Sequence, residues 1–86
     1  MTFPHHQKET ATLLDEIRHH VDVGSQSLVD RQYARAVDES QQAEKCCARI
    51  RLRNAGEMAV PERQRIRLLE TELKLLNQRI RLVIGT

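Results

Sequence analysis

Six apolar residues near the C-terminus, Ile66, Leu69, Leu73, Leu76, Ile80 and Val83, are spaced 3, 4, 3, 4 and 3. Only an α-helix puts such a series on one stripe; a strand needs alternation with period two. A second series precedes it: Val29, Tyr33, Ala36, Ser40, Ala43, Cys47, Ile50 and Asn54, spaced 4, 3, 4, 3, 4, 3 and 4. Both are a/d heptad seams, and the small side chains of Ala36, Ser40 and Ala43 permit close helix approach. Two seams joined by a short connection predict an antiparallel helical hairpin, coiled-coil-like in its packing.

Local signals set the expected bounds. Leu14, Ile17 and Val21 form a short stripe ahead of Gly24-Ser25, with Thr12 and Asp15 as an opening signal. This predicts an additional N-terminal helix over about 8–23. Gly24 either ends that helix or lies within a continuous one, since a single glycine costs about 1 kcal/mol. Ser25 or Ser27 serves as the expected cap of a second helix over about 26–54. Asn54-Ala55-Gly56 and then Pro61-Glu62 mark its end and the opening of a third, 61–84, with the acid at the positive end of the helix dipole. The fold class is therefore all-α, one domain over 1–86, with 1–7 expected to be disordered.

Composition matters because the core must be small. Phe3 and Tyr33 are the only aromatics and there is no Trp among 86 residues. Hydrophobic burial and chain entropy nearly cancel at this size, so a partner or an oligomer is an expected source of stability. No apolar run is long enough for a transmembrane helix. Met1-Thr2-Phe3-Pro4-His5-His6 lacks the basic stretch and apolar core of a secretory signal. Cys46 and Cys47 are adjacent, and a bridge between them is strained. Both read as free thiols in a reducing, cytoplasmic compartment.

Leu68, Leu75 and Leu82 recur every seven residues, forming a second apolar line well away from the Ile66–Val83 seam. Leu52 and Cys46 likewise lie off the seam of the second helix. Two accounts are open. Either the first helix folds back to cover this line, closing a three-helix bundle, or the line receives another protein.

Charge is unevenly divided: residues 1–43 hold 4 Lys/Arg against 7 Asp/Glu, and residues 44–86 hold 10 against 5. The pairs Arg49/Arg53 and Arg63/Arg67 belong to the basic half. Phosphate contacts use such a surface, but no aromatic accompanies it to stack bases, so a solvated helix face or the polar rim of a protein interface is the preferred reading. The histidine pairs His5-His6 and His19-His20 do not converge as zinc ligands do. No phosphate loop, nucleophile elbow or carboxylate pair in an apolar pocket is present, so neither an enzyme nor a cofactor is expected.

From about residue 43 onward the chain resembles the small co-chaperones of bacterial type III secretion needle subunits (the YscE/SsaE type). The likeness lies in a helix ending at Gly56, a five-residue step to Pro61-Glu62, and a helix closing in Ile80-Arg81-Leu82-Val83-Ile84. The chain departs from that pattern at Gln64, where the family often has tyrosine, and in a longer, more polar N-terminal part. The resemblance implies a helical hairpin that binds a larger, tetratricopeptide-like chaperone, the two keeping a needle subunit soluble in the bacterial cytoplasm. On this reading Leu68, Leu75, Leu82 and Leu52 contact the partner, with Arg63 and Arg67 as a polar rim. The alternatives are a homo-oligomeric helical adaptor and a basic nucleic-acid-binding hairpin.

Overall fold

The computed structural model describes residues 10–52 and 58–85. Three helices account for nearly all of them: α1 (Thr10–Val29), α2 (Tyr33–Arg51) and α3 (Val60–Ile84). The expectations for residues 1–9, and for Asn54 and Gly56 as the close of the second helix, lie outside the described residues.

Inter-helix side-chain pairs fix the topology. Asp15 and Arg18 of α1 meet Arg65 and Glu72 of α3, so these helices run parallel. Glu16 and His20 of α1 meet Cys46 and Glu39 of α2, so that pair is antiparallel. Arg51 and Ser40 of α2 meet Glu70 and Asn77 of α3, the antiparallel hairpin that the two seams predict. The result is an up-down-up bundle in which every helix packs on the other two. The first helix is no marginal addition. Leu13, Leu14 and Ile17 stand with Leu69 and Leu76 as the largest fully buried side chains, and α1 packs most extensively on α2.

The first boundary differs from the sequence expectation. α1 does not stop at residue 23 but runs through Gly24 to Val29, and α2 starts at Tyr33 instead of 26. Ser25 and Ser27 lie inside α1, and Ser27 is buried. The actual stop is a Schellman turn. Arg31 adopts left-handed backbone at φ 63°, its N–H donates to Leu28 O at 3.2 Å, and the N–H of Gln32 donates to Ser27 O at 2.8 Å. Glycine is the usual residue for that conformation, so an arginine there carries no turn signal.

Two placements on the α2 seam change with it. Val29 is the last residue of α1 and 67% exposed, and Tyr33 opens α2 as an exposed residue. On α3, Val83 is 46% exposed instead of buried. The other seam positions, Ala36, Ala43, Cys47 and Ile50 on α2 and Ile66, Leu69, Leu73, Leu76 and Ile80 on α3, form the common core with α1.

α3 begins close to the expected place. Its first-turn Pro61 precedes Glu62, whose Oε1 accepts from the N–H of Ala59 at 3.1 Å and satisfies a donor the helix leaves open. It ends at Gly85, left-handed at φ 80°, whose N–H donates to Arg81 O at 3.0 Å.

Candidate interaction surface

At 100° per residue, Leu68, Leu75 and Leu82 fall on a line about 130° around α3 from the centre of its buried seam. The edges of that seam are occupied on both sides. Arg65 and Glu72 reach α1, while Glu70 and Asn77 reach α2. Both neighbours thus sit on one side of α3, and the leucine line points away from them. The side chains are 57%, 52% and 81% exposed. A three-helix bundle does form, yet its first helix covers the Ile66–Ile80 seam jointly with α2 and leaves the second line open.

Gln64, Thr71 and Gln78 complete this outer face. With the leucines they give the series Gln64, Leu68, Thr71, Leu75, Gln78 and Leu82, spaced 4, 3, 4, 3 and 4. It is a second heptad seam with leucine at alternate layers and uncharged polar residues at the others. Sequence reading finds the leucines by their seven-residue repeat; the polar positions between them stand out only once the helix face is known. Toward the C-terminus, Leu82, Gln78, Arg81 and Gly85 line a surface depression of about 430 Å³. Val83 and Ile84 are also exposed there, so apolar surface wraps the last turn.

The remaining expected contact residues are placed as follows. Arg63 and Arg67 are both exposed; Arg67 borders the leucine line, whereas Arg63 lies about 120° around α3 from it, and among the described residues neither has an ion-pair partner. Leu52 closes α2 and is 88% exposed, on a different helix from the line. Lys74, Arg79 and Arg81 also border the outer face, and among the described residues they have no ion-pair partner. Glu70, the neighbour of Lys74 one turn back, binds Arg51 of α2, Nε to Oε2 at 2.8 Å.

Between α2 and α3 runs an open groove of about 610 Å³, with Cys47 and Leu73 in its lining and Glu44, Arg51, Glu70 and Lys74 on its walls. Burial pushes the Cys47 thiol up to about 11, with the Glu70 carboxylate adding to the shift. Protonated at neutral pH, it is a poor nucleophile. The Cys46 thiol is also buried and donates to Glu16 Oε1 at 3.6 Å. His19 meets His20 edge-on, ring centres 5.4 Å apart, and His20 Nδ1 lies 2.6 Å from Glu39 Oε1 across the α1–α2 contact. Among the described residues no three His, Cys, Asp or Glu side chains gather as metal ligands, and no helix is long and apolar enough to cross a membrane.

No family model, curated protein or solved structure matches the chain. The outer face of α3 is therefore the main guide to what the chain does. A bundle whose core is already closed keeps a straight apolar line more than half in water. Burying one leucine is worth about 1.5–3 kcal/mol, so each of the three retains a substantial gain available to an occupant.

Proposed function

We propose that this chain is a non-enzymatic protein-binding module that docks another protein along the outer face of α3. The observation that carries this reading is the exposure of Leu68, Leu75 and Leu82 on a helix whose opposite side is fully packed. Short, regularly spaced leucines on a rigid helix suit helix-on-helix recognition, in which anchors at seven-residue intervals seat against a partner's seam. The resemblance to needle-subunit co-chaperones extends the reading. In that role the module stabilises a larger helical-repeat chaperone in the bacterial cytoplasm and helps keep a needle subunit from polymerising. The open apolar line and the apolar last turn of α3 support such a role, since they leave exposed apolar surface for a partner to cover.

Leu75→Asp tests the reading. The side chain is about half exposed, so the variant should keep its far-UV circular dichroism. Co-expressed with a candidate chaperone and needle subunit, the parent chain should co-purify with them and gain melting temperature, and Leu75→Asp should do neither. Retained binding by the variant would remove the outer face from the interface. Self-association through Leu75 that persists when the chaperone is added would favour the homo-oligomeric adaptor instead.

A further inference from the structure

Resting on that reading of the α3 face, we infer that its occupant is an amphipathic helix whose apolar seam is bordered by carboxylates, and not a second copy of this chain. The argument is one of flanking charge. With Leu68, Leu75 and Leu82 as one set of seam positions and Gln64, Thr71 and Gln78 as the other, the residues on either side are fixed by helix geometry. One border holds Arg67, Lys74 and Arg81; the other holds Arg65, Glu72 and Arg79. Five of these six are cationic.

The single acid is not free to offset them. Both oxygens of Glu72 are taken by the Arg18 guanidinium at 2.7 Å, which also holds the carboxyl below its ordinary range. Arg65 is bound to Asp15. Among the described residues Arg67, Lys74, Arg79 and Arg81 have no ion-pair partner, and together they make the outer face cationic along its length.

Two such faces cannot pair well. An antiparallel pair of α3 helices centred near Leu75 sets Arg67 against Arg81 of the other copy and Lys74 against Lys74. A parallel pair sets Lys74 against Arg79, and its one favourable match, Arg67 with Glu72, competes with Arg18. In either arrangement the polar layers, Gln64, Thr71 and Gln78, contribute little apolar burial. A partner helix with Asp or Glu at its own flanking positions meets every unpaired cation while burying the three leucines. A nucleic acid would match the charge, but phosphates gain nothing from a leucine line between the cations.

Two synthetic helical peptides of four heptads serve as probes, each with Leu at both seam positions; one carries Glu at every flanking position and the other Lys. Titrated into the full chain, the Glu peptide should bind. Its affinity should fall at least about tenfold between 50 and 500 mM NaCl, as screened flanking charges require. Leu75→Asp should abolish binding. The triple variant Arg67→Glu, Lys74→Glu, Arg81→Glu, made only at exposed positions, should exchange the preference from the Glu to the Lys peptide. Equal, Leu75-dependent binding of both peptides would overturn the charge inference while leaving the α3 docking face standing. No Leu75-dependent binding of either peptide would overturn both. A 20-base-pair RNA or DNA duplex that binds as well to Leu75→Asp as to the parent and displaces the Glu peptide would assign the cations to nucleic acid. A homodimer in sedimentation equilibrium that Leu75→Asp dissociates would assign the face to a second copy.

Discussion

A methyl group added to Gly24 of α1 would lie 3.0 Å from Cδ2 of Leu76 on α3 and 3.4 Å from Cβ of Glu39 on α2. The glycine is a point where α1 has both other helices within contact distance, and Leu76 is fully buried among core side chains that oppose its displacement. Gly24→Ala gains up to about 1 kcal/mol of helix propensity. Overpacking a closed core costs about 1–3 kcal/mol. The second term wins, so urea unfolding should show the variant destabilised by about 1 kcal/mol, the difference of those two terms. A rise in stability would mean that α3 does not press on α1 at this point.

Seven residues on, Arg31 has the opposite problem. Its left-handed backbone at φ 63° is steric strain for any residue with a Cβ, worth about 1–2 kcal/mol. Arg31→Gly relieves it while adding chain entropy to the unfolded state, for a net stabilisation of about 0.5–1 kcal/mol. Arg31 is exposed, and among the described residues its side chain has no hydrogen bond or ion pair to lose. An unchanged or lowered midpoint would mean that the Schellman turn is not what ends α1.

These two positions explain what was legible in the sequence and what was not. The seams from Ala36 to Ile50 and from Ile66 to Ile80 were readable because periodicity survives any change of surroundings. Of the two roles the sequence leaves open for Gly24, the helix takes the continuous one, and its true end is hard to read because glycine and arginine exchange their usual parts. Gly24 is there for interhelical room, which no local pattern records, and Arg31 makes the turn that glycine ordinarily makes. Ion pairing is not legible in the sequence for a similar reason. Glu70 with Lys74 is the pair that helical spacing favours, but tertiary packing brings Arg51 to Glu70 first. On the outer face the leucines repeat visibly, whereas the cationic border depends on knowing that Glu72 is spent on Arg18.

The contrast between Leu69 and Leu75 checks which side of α3 faces in. Leu69 is 1% exposed and Leu75 52%. Leu69→Ala should cost about 2–5 kcal/mol through lost burial and the cavity left behind. Leu75→Ala should cost less than about 1 kcal/mol in the isolated chain, since a side chain already half in water leaves little cavity. Equal losses in thermal or chemical unfolding would place Leu75 in a core and remove the reason for expecting a partner at that face.

Alkaline pH offers a readout of the α2–α3 contact. An ordinary thiol ionises near 9, and burial raises that of Cys47 to about 11. The folded chain therefore holds this proton more tightly than the unfolded chain does. The associated stability is fully present below pH 9 and is lost as pH climbs from 9 to 11. At about 1.4 kcal/mol per unit the loss amounts to about 2–3 kcal/mol for this group. Cys47→Ala should flatten the curve, because lysine and tyrosine ionisation is common to both proteins and cancels in the comparison. Native thiols should also resist a disulfide reagent at pH 8 and react promptly once urea opens the bundle. Parallel pH profiles for the parent and Cys47→Ala would mean that water already reaches the sulfur, and that α2 and α3 do not close over it.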